Sequence, residues 1–495
     1  MNRKAFTIIA ILGMVPFLSL HAQVNQDVPQ ANEDMRKSYE SFRQQMHQEY
    51  ESFRRQANEE YARFMEEAWQ QVDVQPAEEL PMAPKPPKPV IAPPEEQVRP
   101  TADPIPFDGV LIQPKPMPIQ PQPMEPIVPS RTPVASDPGQ KLYWYDTPLT
   151  FHFDHNKSLK LVDAMEKSVA ELWRQLSDPY YDDMVAECLS VRKQRNLCDW
   201  AYVKLTETVA ENCCGGHNNE AVVLHMYLLT QSGYRVRLAR MDNQLTVLIG
   251  SEEKIYRVKY FKLDGGYYYN FNKTLNNKPY YIFNHAFPKE KCMSLAMAQP
   301  IIDSNPIEAR ARASKRYPEV KMNIELNKSL IDFYDSYPIT DKWQYYTMAS
   351  MSPTLKESLL PTLRKSIEGK TETETVNILL NFVQTAFAYA TDDEQFGYER
   401  PLFPDESFYY PCCDCEDRSI LLACLIRELT DLDVVLLDYP GHLATAIRFK
   451  GDVIGSYLNV GEDKYIICDP TYIGAHIGLC MPALKDVAPK AVLIQ

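Results

Sequence analysis

Proline sets the firmest limit on what this chain can fold into. Of its 39 prolines, 20 fall between Pro76 and Pro138. Each fixes φ and removes a backbone donor, so a segment this rich in proline forms neither a helix interior nor a central strand. Residues 74–138, with runs such as Pro84-Lys85-Pro86-Pro87-Lys88-Pro89, therefore read as a disordered linker of extended polyproline II character. The expectation is a spacer with few contacts to its neighbours. It divides the chain into a short N-terminal extension and a long C-terminal part with room for two domains.

The extension opens as an export signal. Residues 1–22 carry Arg3 and Lys4, an apolar run from Ala5 to Leu20, and Leu20-His21-Ala22 before Gln23, the pattern of a secretory signal peptide. An uncleaved membrane anchor is the alternative, because Leu20 is large for its position. The first cysteine is Cys188, so no lipid-bearing cysteine is expected at the cut. The expected location is outside the cytoplasm: periplasm, cell surface or medium. Beyond this segment no stretch holds the roughly 18 apolar residues of a membrane span. A formal charge of −14, from 52 Lys and Arg against 66 Asp and Glu, argues against a nucleic-acid partner, which a basic surface would bind. The eleven cysteines are too sparse for a disulfide scaffold, and their odd number leaves at least one without a partner in the chain.

Within 27–73 an eleven-residue repeat is plain. Tyrosines recur at 39, 50 and 61, and phenylalanines at 42, 53 and 64. Eleven residues make three turns at 3.67 per turn, which keeps this stripe on one face of a long helix, unbroken over 38–70. Such a helix either self-associates through the stripe or packs it back on the folded part.

The chemistry gathers near the C-terminus. Tyr410-Pro411-Cys412-Cys413-Asp414-Cys415-Glu416-Asp417 leads into the apolar run Ile420–Leu429. Carboxylates suit the first turn of a helix, and the all-round apolar run suits a buried one. Cys415 then sits at a helix N-terminus, where the dipole lowers a thiol pKa from about 8.5 toward the range of roughly 3.5–7.5. Asp414, Glu416 and Asp417 oppose that effect, so an imidazolium is needed nearby. His442 follows a β-like run and the turn Tyr439-Pro440-Gly441, and Asp469 ends the strand-like Lys464–Cys468. If strands 442–449 and 464–469 pair antiparallel, His442 and Asp469 become neighbours. A strand from 453–460 inserted between them would part the pair. Zinc ligation by Cys412, Cys413, Cys415 and His442 lacks the usual ligand spacing, so no metal and no cofactor is expected.

Asp414-Cys415-Glu416-Asp417 opening an apolar helix, Gly441-His442 opening a strand and Asp469-Pro470-Thr471 closing one together resemble the transglutaminase-like superfamily of cysteine hydrolases and acyltransferases. The likeness covers roughly residues 300–495 and takes in the helix around Val376–Phe387 and Gln395-Phe396-Gly397. It implies a papain-like α+β fold, with Cys415 as nucleophile, His442 as general base and Asp469 as orienting acid. The backbone N–H of Cys415, with Gln395 or Tyr410, is the candidate oxyanion donor.

A shift of 198 residues lays Ala221–Arg240 on Ser419–Asp438 and Gln244–Ile249 on His442–Ile447. It also lays His217 on Cys415 and, with a slip of one, Asn272 on Asp469. The expected architecture is thus two transglutaminase-like domains, a degenerate one at 140–295 and one with the full triad at 300–495. Two readings of function follow. One is an exported thiol hydrolase or acyltransferase acting on a polypeptide or peptidoglycan-peptide substrate. The other is a catalytically silent cell-envelope binding or assembly protein.

Overall fold

A computed structural model describes residues 28–494, apart from 82–84, 86–87, 95–98, 115–119, 125–126, 128–138, 154–157, 273–278 and 304. The signal-peptide reading at 1–22 lies outside the described residues. The chain forms two units, 1–54 and 55–495.

Helix α1 (Val28–Met65) carries the eleven-residue repeat. In the first unit Tyr39, Phe42, Tyr50 and Phe53 are exposed. In the second unit the last repeat is buried. Tyr61 packs against Trp173, Phe283 and Phe287 with ring centroids 5.0, 4.9 and 5.2 Å away, and Ala62 and Met65 join the same core. The helix ends at Met65 rather than near 70. There the backbone tightens, with Glu66 N–H bonded to Arg63 O and Glu67 N–H to Phe64 O, while the Trp69 indole takes the Met65 carbonyl at 3.0 Å. Strand β1 (Gln70–Val72) follows directly.

The proline-rich stretch is not a free spacer. Its described residues form a strap across the folded part of the second unit. Gln75 N–H bonds to Tyr260 O at 2.8 Å, Arg257 N–H to Glu78 O at 2.7 Å, Ala92 N–H to Ile473 O at 2.9 Å and Ile105 N–H to Tyr457 O at 2.8 Å. Leu80 and Ile105 are buried. Strand β2 (Leu111–Ile112) adds to a sheet edge. Polyproline II geometry leaves backbone donors and acceptors unpaired within the segment, so its non-proline residues satisfy them on neighbouring edges.

Downstream lie two curled sheets packed with helices, a mixed α+β architecture. The first sheet comprises β3 (Val236–Met241), β4 (Gln244–Ser251), β5 (Lys259–Leu263), β6 (Gly266–Asn270) and β7 (Tyr280–Phe283), with β1 on its edge. The second comprises β8 (Asp433–Tyr439), β9 (His442–Arg448), β10 (Tyr457–Val460), β11 (Asp463–Ile467) and β12 (Lys490–Leu493), with β2 on its edge. Their strand orders are β5-β6-β4-β3-β7-β1 and β10-β11-β9-β8-β12-β2. Element for element the two orders are the same. Each central hairpin follows a capped, apolar helix: α2 (Asn219–Gln231) before β3, and α3 (Cys415–Leu429) before β8. Both edge strands come from upstream of the two sheets, β1 from the end of the extension and β2 from the proline-rich strap, and β1 pairs antiparallel while β2 pairs parallel.

If Tyr61 anchors the end of α1, Tyr61→Ala should lower unfolding free energy by about 3–5 kcal/mol in urea titration, the usual cost of emptying an aromatic site in a core. Tyr39→Ala, at an exposed position, should stay within about 0.5 kcal/mol of the parent.

Candidate active site

The site is built around the start of α3. Ile420–Ile426 are buried on every side, which makes this helix the centre of the C-terminal core. Its first turn is buried with it. Asp417 accepts from Leu402 N–H at 2.8 Å and Asp414 N–H at 3.3 Å, which pins the incoming loop to the helix. Arg418, 1% exposed, donates to the carbonyls of Gln384 and Phe387 at 3.2 and 3.1 Å. It thereby binds α3 to the C-terminal end of the neighbouring helix Glu372–Thr385. Cys415 is the first helical residue.

His442 is placed by the tight turn before β9. Gly441 takes φ +78°, which an L side chain resists, and Tyr439 pairs with His442 across the hairpin. Strand β10 lies on the outer edge beyond β11, so β9 and β11 are direct neighbours, with Ala446 opposite Ile467. The antiparallel pairing required by the sequence is therefore present. His442 Nε2 meets Asp469 Oδ2 at 2.8 Å, and both side chains are buried. Asp469 Oδ1 accepts from Thr471 N–H at 2.8 Å. Gln384 fixes the loop from behind, donating to the carbonyls of Asp469, Tyr472 and Ala475 at 3.2, 2.9 and 3.1 Å. A carboxylate can only accept, so Nε2 is the protonated nitrogen and Nδ1 carries the free lone pair.

Cys415 and His442 line one cavity of about 470 Å³. Among the described residues, however, the thiol donates not to His442 but to Glu416 Oε2, at 3.1 Å. Burial, then the charges of Glu416 and Asp414, hold this thiol well above the usual range, against Lys85 and the Leu443 N–H, which favour the thiolate. The expected lowering by the helix dipole is thus reversed in the resting chain, because the dipole is outweighed by desolvation and two adjacent acids. His442 behaves as a paired base should. Burial pulls its pKa down, but Asp469 outweighs burial and holds it above the ordinary value.

Two candidates for an oxyanion side chain are engaged elsewhere. Gln395 exchanges hydrogen bonds with the Cys412 backbone, at 3.1 and 3.3 Å. Tyr410 donates to Asp335 at 3.3 Å and lies under the Arg400 guanidinium. Neither lines the cavity. All eleven cysteines carry free thiols.

What the sequence did not reveal is how many further charges gather around Cys415. Asp392, Glu399, Asp414, Glu416 and Asp417 are all buried there. Lys85, from the proline-rich strap, reaches into them, with its Nζ 2.5 Å from Glu399 Oε1, 2.9 Å from Asp414 Oδ2 and bonded to Glu416 Oε1. Burial pulls the Lys85 pKa down, but Glu416 and Asp414 outweigh it and the ammonium persists. Burial, then repulsion from Glu416, raises Asp392 to about 10 and Glu399 to about 8. Glu416 goes the other way: burial would raise it, but Lys85 and hydrogen bonds from Asp414 and Glu399 hold it at about 2. One carboxylate pairs with one ammonium, and its neighbours keep their protons. A lone lysine among prolines carries no sequence signal for such a role, whereas acids at 414, 416 and 417 were visible.

In the first half, the cap geometry corrects one correspondence. Asn219, not His217, is the first residue of α2, after the cap Asn218. Its Oδ1 accepts from Leu245 N–H at 2.9 Å, the counterpart of the Leu443 N–H that faces Cys415. His217 is largely exposed and bonded to Glu211 at 2.8 Å. Gln244 opens β4 as His442 opens β9, but it is exposed and absent from the cavity of about 270 Å³ that His217 and Asn272 help to line. Asn219 thus stands where α3 has Cys415, and Gln244 where β9 has His442.

Comparison with protein-family models, with curated proteins and with solved structures returns no match.

Two measurements follow from these electrostatics. Iodoacetamide should alkylate Cys415 in the folded chain more slowly than a free model thiol at pH 7, and the rate should still be rising above pH 9, as followed by mass spectrometry. Glu399 has its folded pKa raised from 4.5 to about 8, so the unfolded chain releases this proton first and stability falls as pH rises between those values. In denaturant titrations at pH 5 and pH 8, Glu399→Gln should lose less stability across that interval than the parent.

Proposed function

We propose that the C-terminal half is a thiol hydrolase or acyltransferase of papain-like, transglutaminase-like type, acting on peptide or amide bonds outside the cytoplasm. The observation that carries this reading is the buried His442–Asp469 pair, whose imidazole lines the same cavity as Cys415. With Nε2–H committed to Asp469, the Nδ1 lone pair of His442 accepts the Cys415 proton. Sulfur bonds to the substrate carbonyl carbon, the carbon–nitrogen bond then breaks, and the imidazolium returns the proton to the leaving amine. Water or a second amine attacks the resulting thioester and releases the thiol. The Cys415 backbone N–H, at the start of α3, is the oxyanion donor in this scheme. Gln384 acts as a positioning residue, holding the loop that carries Asp469.

The first half supports this site without chemistry of its own. The exposed aromatic stripe of α1, Tyr39, Phe42, Tyr50 and Phe53, fits self-association of the extension. A second reading, a silent cell-envelope binding or assembly protein, is favoured by the bond from Cys415 to Glu416 instead of His442.

The test is to profile the mature chain against peptide and peptidoglycan-peptide libraries beside Cys415→Ala, His442→Ala and His217→Ala. Cys415→Ala and His442→Ala should abolish turnover, with a thioester trapped on Cys415 in the parent. His217→Ala should stay within about twofold, a barrier change under about 0.5 kcal/mol. No turnover and no acylation on any substrate would favour the binding reading, and equal damage from His217→Ala would overturn the division into a working and a silent half.

A further inference from the structure

The catalytic scheme has no use for Lys85, yet this side chain fills the ground beside the nucleophile. An ammonium has three donors, and here they meet three different carboxyl groups, those of Glu399, Asp414 and Glu416. One of these, Glu416, also accepts the Cys415 thiol. Lys85, Glu399, Glu416, Cys415 and His442 line the same cavity. The ammonium therefore sits within one residue's reach of the reacting sulfur.

Among the described residues from Glu79 to Pro89, no backbone hydrogen bond reaches the folded part, and the nearest on either side are at Glu78 and Val90. Lys85 itself is anchored here through its ammonium. The receiving group is built for more than this occupant uses. Asp414 is fully buried and its Oδ1 has no hydrogen-bond partner.

We propose that Glu399, Asp414 and Glu416 form a recognition subsite for a primary ammonium group of the substrate, occupied in the resting chain by Lys85 as an internal stand-in. The proposal rests on Cys415 being the nucleophile, and it names the substrate class: peptides that present a primary ammonium, on a lysine-like side chain or a free amino terminus, beside the scissile carbonyl. Substrate enters by displacing the strap. A cation at this place is also what favours the thiolate of Cys415, so a substrate ammonium replaces that influence as Lys85 withdraws.

Binding without turnover tests this separately from catalysis. Isothermal titration calorimetry on the full mature chain carrying Cys415→Ala, with and without Lys85→Ala, would use three probes: Nα-acetyl-lysine methylamide, glycinamide and the uncharged Nα-acetyl-norleucine methylamide. Removal of Lys85 should tighten binding of a charged probe at least tenfold, and further substitution of Glu416→Gln should reverse the gain. Preference for the lysine probe assigns a side-chain ammonium, and preference for glycinamide a free terminus. Equal binding of the norleucine probe, no change on removing Lys85, or displacement of the charged probe by equimolar calcium chloride would overturn the subsite. Lys85→Met, which keeps the aliphatic stem, serves if Lys85→Ala does not fold; failure of both to fold would make Lys85 a structural residue and overturn the proposal. An enzyme active on other substrates but deaf to amines would reject the subsite and leave the proposed function standing.

Discussion

Five carboxylates buried around the first turn of one helix dominate this structure. Asp392, Glu399, Asp414, Glu416 and Asp417 surround the N-terminus of α3, and an isolated buried carboxylate is costly to keep ionised. The fold meets that constraint in three ways. Backbone N–H groups at Leu402 and Asp414 engage Asp417, protons stay on Asp392 and Glu399, and one ammonium arrives from outside the domain on Lys85. The proline-rich strap is therefore an electrostatic part of the site although it is remote in sequence. The same constraint explains why the thiol rests protonated, since burial and the adjacent acids Glu416 and Asp414 disfavour a further anion at Cys415.

The two halves share one frame and diverge at its working end. Their sheets have the same strand order, and a helix N-terminus faces the second residue of the central hairpin's returning strand in both. Packing imposes this frame: an apolar helix covers one sheet face, and the hairpin register follows from its tight turn. Nothing in the packing requires a thiol. Asn219 satisfies the Leu245 N–H with an amide oxygen, which is an inert solution to the contact that Cys415 makes through sulfur. Among the described residues, the cluster of Asp392, Glu399, Asp414, Glu416 and Asp417 belongs to the second half, and the lysine that answers it comes from the strap.

Support for the reactive pair comes from behind the site. Gln384 spans three carbonyls of the Asp469–Ala475 loop while its own carbonyl receives Arg418 from α3. Helix α3 and the loop that carries Asp469 are thus tied through one residue of a neighbouring helix, so displacement of either would unseat the other. Such buried, hydrogen-bonded connections hold a site in register more firmly than loop contacts do.

The sequence by itself determined the elements whose signals are local. An apolar run behind Asp414-Cys415-Glu416-Asp417 makes a capped buried helix, Gly441 makes the turn before His442, and a 198-residue shift exposes the repeated hairpin. Each is decided by neighbouring residues, and each stands in the structure, as does the His442–Asp469 pair that strand adjacency delivers. Tertiary structure decided where long-range partners go. Gln395 and Tyr410 have the chemistry of oxyanion donors but are drawn to the Cys412 backbone and to Asp335. His217 matches Cys415 by count, yet helix capping puts Asn219 there. Composition marked the proline-rich segment correctly as unable to form a core and incorrectly as idle, because polyproline residues lack internal partners and so bind whatever edges and charges the folded part offers. Which lysine would meet the buried acids depends on the path of the strap over both halves, and no pattern local to Lys85 encodes that path.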